Sequence, residues 1–551
     1  MKSGRTTVTH ICIILFVYFV CYGSYIFVNV PFWDDWVLMQ YGVDGLWELF
    51  KQVGRREHYF TTAPFAGTGN PMSWATASFI CWGVVALSVY AALQGMGWTR
   101  ANSFWAAVLT AAVPLNQARF GLAMTPYAFS AAFYSLALVL LVVSTRRQRP
   151  WLRVPVGVLL TLSFSTNSFL TMALLAPVVA FLALRQRDPE RRFWPAARGA
   201  LMHVELFILP VAYWVSKSVF QPVYGLYASY NKFQMGPLEG LVGSVLALIN
   251  QRPDFRTFFP TTGHLIEGLV LGVVCLAAVG LVLVATRTEC GTEKGGWRGN
   301  WLLVAGLFGA ALIALFPYVM VGIRPAFYAL WETRHQTTLA IVAGAFGFAG
   351  MRALLPRRML PAACMAVLGC FVAIDISASR QLLADVYESN AIIHHPAIAA
   401  IPDGTMLGVF ENDRSYRMFT RHFQFYDLSS MLNAHSAQKT LVAMSNLEFV
   451  DPDTQNYAVA GSKTFPEAVS KLCQGTVDLP QYGFGDVVYN GQFAEVTLLP
   501  KLPPPDLLGS LQTALGFLFD RQGTIERAVA GLDVRVEMRP FPEGKCAPAA
   551  G

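Results

Sequence analysis

Two adjacent carboxylates, Asp34 and Asp35, stand just beyond the first long apolar run, inside Pro31-Phe32-Trp33-Asp34-Asp35-Trp36. Tryptophan favours the membrane–water interface, but paired aspartates there do nothing for insertion. A carboxylate at that depth can accept a proton from a hydroxyl as the hydroxyl attacks a carbon. An apolar setting and a like-charged neighbour would raise the pKa of one member and leave the other ionised. The pair could also ligate a divalent cation, although two ligands alone do not define a site. The same residues can equally be a solvated pair that opens a loop.

Three more polar clusters carry chemistry-bearing side chains. Arg324 and Arg334-His335 flank Trp331-Glu332-Thr333, where polar residues enter a late apolar run. Arginine grips phosphate through paired donors, and His335 could donate a further bond or protonate a departing oxygen. The plainer alternative is side chains that snorkel to water or pair with Glu332. Arg55-Arg56-Glu57-His58-Tyr59 follows Asp34 in the same loop. Tyr224 to Lys232 sets Tyr230, Asn231 and Lys232 among aromatics that could stack on sugar rings or simply form an interfacial belt. Asn116, Gln117 and Arg119 are a weaker group of the same kind. Glu205 and His203 lie far from these, and His394-His395 lacks further ligand spacing.

The elements that must position these residues are membrane spans. Of 551 residues, 54% are hydrophobic and 14% charged, with a mean hydropathy of +0.44. A soluble domain is typically about 25% charged. The composition excludes a purely soluble protein, a disordered chain and a disulfide scaffold. A span needs about 20 apolar residues. The candidates are 9–30, 73–95, 101–116, 126–144, 154–165, 168–184, 200–219, 265–286, 301–321, 335–351 and 359–376, eleven in all. The uncharged stretch 154–184 reads as a hairpin turning at Ser165-Thr166-Asn167, because that keeps the Arg185–Arg198 cluster on the basic side. The N-terminus reads as an uncleaved signal anchor, with no clear cleavage site before Pro31.

Residues 1–376 carry a net charge of +13, and residues 377–551 a net of −6. The basic excess lies between spans, so it encodes topology and not nucleic-acid binding. With the N-terminus cytoplasmic, the inner segments hold 18 of the 28 Lys and Arg residues of the first part. The domain division is therefore a membrane domain, 1–376, and an extracytoplasmic α+β domain, 377–551. In the latter, Asn490-Gly491 signals a hairpin. Val534 to Met538 alternates like a strand, and Asp506 caps an apolar helix over 507–519. The apolar stretch 237–250 is expected to lie along the membrane surface. Cys12, Cys21, Cys81, Cys275, Cys364 and Cys370 fall in apolar runs and read as inert core residues. Cys290 falls in a polar loop, and Cys473 and Cys546 could form a disulfide on an oxidising side.

An N-terminal span followed at once by Asp34-Asp35-Trp36, then many spans and an outer C-terminal domain, resembles the GT-C superfamily. These are integral membrane glycosyltransferases that take sugars from polyprenyl-phosphate donors. The resemblance covers the layout of residues 1–376. It implies that Asp34 or Asp35, with Asp34 preferred, is the general base. It also implies that the 324–336 segment meets the donor phosphate, through Arg334, Arg324 and His335 with Lys232 in support. Glu57 and His58, with Tyr230 and Asn231, would position the acceptor or supply a second carboxylate. The expected partners are a polyprenyl-phosphate-linked sugar, a cell-envelope glycan, lipid or protein acceptor, and the bilayer, and the expected location is the bacterial inner membrane with the site on its outer face. The sequence names no cofactor, and a divalent cation could take part. The rival class is a lipid or sugar flippase, which should show a polar route across the membrane and internal symmetry. No repeat, Walker loop or zinc spacing is present in the sequence.

Overall fold

The computed structural model describes residues 2–187, 193–225, 262–285, 297–321, 323, 331–411, 425–434, 441–445, 492–501 and 506–540. The first part of the chain is helical: α1 (Lys2–Tyr22), α2 (Asp34–Gln52), α3 (Glu57–Ala66), α4 (Pro71–Gly95), α5 (Arg100–Ala112), α6 (Thr125–Arg147), α7 (Arg153–Ser163), α8 (Ser168–Met172), α9 (Leu175–Arg187), α10 (Phe193–Leu201) and α11 (Glu205–Phe220). Then come α12 (Thr262–Ala285), α13 (Trp297–Val319), α14 (Thr337–Leu354) and α15 (Leu360–His394). Helices occupy all eleven expected places. Among the described residues seven stretches are long and apolar enough to cross a membrane: Thr6–Phe27, Pro71–Gly95, Leu122–Arg147, Ser168–Arg187, Phe193–Phe220, Thr333–Leu354 and Leu360–His394. The chain is a polytopic α-helical membrane protein.

Local signals start these helices where the sequence places them. Asn70 accepts from the Met72 amide (3.2 Å) with Pro71 in the first turn of α4. Thr99 accepts from the Asn102 amide at the start of α5 (3.3 Å). Proline opens α6 and α15, where its missing N–H costs nothing.

Helix α5 is only 13 residues long, and all but its first residue are buried. At 1.5 Å per residue it is too short to cross alone, so its neighbours α1, α4, α14 and α15 enclose it. Its contact with α14 is intimate. A Cβ at Gly344 would run into the amide nitrogen and hydroxyl of Thr110. Small residues permit such close helix approach in membranes. We expect Gly344→Ala to lower the thermal midpoint in detergent, at an overpacking cost of about 1–3 kcal/mol. An unchanged midpoint would contradict this packing.

The 154–184 stretch is a hairpin. Ser130 of α6 meets Ser165 and Thr166 at 3.0 Å each, and Tyr134, one turn on, donates to the Met172 carbonyl (2.8 Å). At the far end of α9, Gln186 lies against Gly97. The chain therefore turns at 165–167 and runs back. Arg146 and Arg147 at the end of α6, Arg153 at the start of α7, and Arg185 and Arg187 at the end of α9 share one end of the bundle. Asp34 is at the other, here called the site end. Arg153, His203 and Glu205 group at the basic end, with His203 Nδ1 3.0 Å and Arg153 Nε 3.8 Å from Glu205 Oε1.

Four of the cysteines read as core residues, Cys21, Cys81, Cys275 and Cys364, are buried; Cys12 and Cys370 are exposed instead. Those two lie on outward helix faces, because an apolar run in a membrane protein faces lipid as readily as core. Cys290, Cys473, Cys546, the 237–250 stretch and the Asn490-Gly491 hairpin lie outside the described residues.

Helix α15 runs unbroken through residue 377, where the composition changes, to His394. After α16 (Pro396–Ala399) follow β1 (Met406–Glu411), α17 (Phe425–Asn433), β2 (Val442–Ser445), β3 (Gln492–Pro500), α18 (Leu507–Phe519), α19 (Arg521–Ala530) and β4 (Leu532–Pro540). The sheet order is β2-β1-β3-β4. β1 runs parallel to both β2 and β3, and β4 antiparallel to β3, with Val496 opposite Val409 and Val536. Leu407, Val409, Val496 and Leu498 of the sheet are buried, as is Leu428 of α17. Asn433 clips α17 to the sheet by exchanging bonds with both backbone groups of Leu441 (2.7 and 2.8 Å). The other side of α17 packs on α2, so the sheet unit braces the helix that carries Asp34.

Candidate active site

The aspartates open α2, and the residue before them is strained. Trp33 sits at φ 49°, ψ −128°, a conformation costing on the order of 1–3 kcal/mol for a residue with a side chain. Packing holds it there. The buried Trp33 ring lies 4.9 Å from Trp331 and 5.5 Å from Phe120, centroid to centroid. Farther along, α2 is broken at Gly42 (φ 62°), which tolerates that backbone where other residues do not.

The two carboxylates have different surroundings. Asp35 is buried, and both of its oxygens are engaged: the Leu122 amide donates to Oδ2 and the Ala123 amide to Oδ1, each at 2.8 Å. It thereby caps the segment that leads into α6. Burial pushes its carboxyl up to about 7, while the Ala123 and Leu122 amides pull it down and Asp34 adds to the rise. Asp34 is half-buried.

The sign of the pH effect follows. Between the ordinary aspartate value of 3.8 and about 7, folded Asp35 holds a proton that the unfolded chain has shed. This residue's contribution to stability is therefore full below 3.8 and is lost as pH rises towards 7. We expect a thermal midpoint series from pH 4 to 8 to show that loss in the native protein and not in Asp35→Asn. Parallel curves would contradict it. His58 acts in the opposite sense. Burial, with Arg55 and Lys217 nearby, holds it well below its ordinary 6.5, so its effect appears as pH falls below 6.5.

The second cluster sits beside the same helix. Arg55 donates to the Tyr127 hydroxyl (2.9 Å), in the first turn of α6. Glu57 Oε1 accepts from Tyr213 (3.0 Å) and Gln221 (2.8 Å) of α11 and the residues after it. Buried among them, the Lys217 ammonium, Arg56 Nε and Glu57 Oε2 have no hydrogen-bond partner in the described structure. Arg55 and Glu57 are the charged neighbours of Lys217. Arg55 and Lys217 thus lie around the Glu57 carboxylate. His58 is neutral and buried, with Nε2 3.1 Å from the Ser165 carbonyl; it straps this loop to the 165–167 turn.

The third cluster meets the first two. Thr333 accepts from the Ala118 amide (3.2 Å), which brings the 331–336 segment to the turn that Asp35 caps. The Arg334 guanidinium lies 4.3 Å from the Trp331 ring centroid, on the tryptophan that stacks against Trp33. His335 is buried edge-on to Tyr318 (5.7 Å). Arg324, Tyr230, Asn231 and Lys232 lie outside the described residues.

The turn at the centre, residues 113–124, is itself locked. Arg119 is buried, donates to the Asn116 and Leu115 carbonyls (2.9 and 2.7 Å), and lies 3.8 Å from the Tyr22 ring and 4.8 Å from Trp82. Its donors are turned inward to the backbone, so it shapes the site and does not offer itself to a ligand. Asp375 faces Arg119, Cys21, Tyr22 and Gln117. Its two oxygens have no hydrogen-bond partner among the described residues.

No protein-family model matches the chain, and no curated protein does. Among solved structures the chain is similar to the crystal structure of ArnT from Cupriavidus metallidurans in the apo state, at 11% identity and a TM-score of 0.30. That likeness spans 90% of this chain and 93% of the other. It is a likeness of extent, not of superposable detail.

The structure thus brings three of the sequence's clusters close together, and packs among them Tyr127, Lys217, Tyr213 and Tyr318, which the sequence did not single out. A tyrosine in an apolar run carries no signal of its own. Lys217 did carry one, as a lone cation near the end of an apolar stretch. Among the described residues no three of His, Cys, Asp and Glu come together as metal ligands. Both oxygens of Asp35 accept backbone amides, whereas Asp34 is half-buried at the start of α2.

Proposed function

We propose that this protein is a GT-C-type membrane glycosyltransferase that moves a sugar from a polyprenyl-phosphate donor to a hydroxyl acceptor of the cell envelope. The site end of the bundle is then the outer face of the membrane, and the basic end is cytoplasmic, as the positive-inside rule requires. One observation carries the reading. A half-buried carboxylate, Asp34, and a cation-rich cluster, Arg55, Arg56 and Lys217, in which the Arg56 Nε and the Lys217 ammonium lack a hydrogen-bond partner among the described residues, flank the opening turn of α6 at one membrane boundary.

Asp34 accepts the proton of the acceptor hydroxyl as its oxygen bonds to the anomeric carbon. The bond from that carbon to the phosphate oxygen breaks, and its electron pair leaves with polyprenyl phosphate. A single displacement inverts the centre. Arg55, Arg56 and Lys217 hold the phosphate and stabilise the charge that gathers on it, with Arg334 and His335 on the neighbouring segment. Phosphate is already a fair leaving group, so positioning and electrostatics supply most of the acceleration. Asp35 does not react; it fixes the turn on which Asp34 and Arg55 converge.

The test is incubation of the purified protein in nanodiscs with radiolabelled polyprenyl-phosphate sugars and a panel of acceptors. Transfer of label from at least one donor is expected. No transfer from any donor by folded protein, together with movement of lipid between leaflets, would replace the enzyme with a flippase.

A further inference from the structure

Helix α18 (Leu507–Phe519) carries no charged residue and has two unlike faces. Ser510, Thr513, Ala514 and Phe517 are buried. Leu508, Leu511, Leu515, Leu518 and Phe519 are exposed, each by 42–83%. At 3.6 residues per turn these five fall within an arc of about 100°, opposite the buried side. An uninterrupted leucine–phenylalanine stripe of this kind is not a normal water-facing surface.

Three contacts place the stripe at the membrane boundary. The buried face of α18 packs on residues 23–27, which end the first span, and on α15. The capping residue of α18, Asp506, which accepts from the Gly509 amide (2.7 Å), has Arg380 as a charged neighbour. Arg380 is paired with Glu267 near the start of α12. Residues 360–379 of α15 have Asp375 as their one charge. Twenty helical residues cover about 30 Å, the thickness of the hydrocarbon core, so Arg380 marks where α15 leaves it. Next to Glu267, α12 exposes Ile266, Val270 and Val273. The stripe on α18 continues that apolar surface at the same level.

We propose that α18 lies in the membrane–water interface at the site end, with its leucine–phenylalanine face among the lipid acyl chains. Charged Lys501, Asp506, Asp520 and Arg521 bracket the helix and stay at headgroup level. The sheet unit is then held to the bilayer at two points, α15 and α18, while α17 braces α2. The assignment is independent of the proposed transfer chemistry.

The test uses the full chain in lipid nanodiscs, with a benzophenone-bearing phenylalanine in place of Leu511, of Phe519, or of Gln522 on α19. After irradiation, mass spectrometry should find phospholipid adducts at 511 and 519 and none at 522. Covalent dimers from 511 and 519 would assign the face to a second copy and overturn the proposal. Crosslinks only to other peptides of the same chain, or recovery of the unreacted ketone alone at both positions, would overturn it too. Phe519 is at the exposed helix end, so a folding defect at 511 leaves the 519 result standing.

Discussion

Asp34→Asn is expected to lower the rate of sugar transfer by about 10²–10⁴-fold, the usual contribution of a positioned general base. Donor binding and thermal midpoint should stay close to native, because Asp34 is half-buried at a helix start and the amide keeps its shape. Asp35→Asn should behave differently. It replaces an oxygen that accepts the Leu122 or Ala123 amide by an N–H₂ facing a donor. An unsatisfied buried group of that kind costs about 1–3 kcal/mol, so the loss appears in stability, with activity falling only as the turn loosens. Single-turnover transfer and thermal unfolding on both variants separate the roles. If Asp35→Asn loses turnover at full stability and Asp34→Asn retains it, the assignment of the base is reversed.

The second large effect concerns the donor. Lys217→Met should weaken binding of a polyprenyl-phosphate sugar by about 10–100-fold, the range of one charge-assisted hydrogen bond. It should also leave the empty protein as stable as before, or more so. The Lys217 ammonium is buried without a hydrogen-bond partner among the described residues, and removing a buried charge that lacks a hydrogen bond relieves its desolvation cost. Weaker binding with gained stability is the mark of a ligand-binding group. A variant that loses stability and binding together would make Lys217 structural. Arg55→Gln should show the binding loss but not the gain, because Arg55 already holds Tyr127. Equilibrium titration in nanodiscs and unfolding without donor read both quantities.

The clusters were legible because membrane chemistry makes polar residues conspicuous. Asp34-Asp35, Arg55 to His58 and Trp331 to His335 interrupt apolar text, and the structure gathers all three around residues 113–127. Their inner division of labour was not legible. His58 had the residue type of an acceptor or metal ligand, yet it is spent on the Ser165 carbonyl 107 positions away. Arg119 had the type of a phosphate ligand and holds its own turn.

By itself the sequence determined the places of the eleven helices, the basic bias of one bundle end, the Asp506 cap of α18 and the short acidic signature after the first span. Those are local properties: a span must satisfy its backbone within its own helix, and a cap acts over three residues. Tertiary structure alone decided that Asp35 is a buried cap and Asp34 is not. It also joined Glu57 to Tyr213 across 156 positions, left the Lys217 ammonium without a hydrogen-bond partner among the described residues and turned five apolar side chains of α18 outward. Such outcomes depend on which helix faces meet, and that is set by packing among segments far apart in the chain.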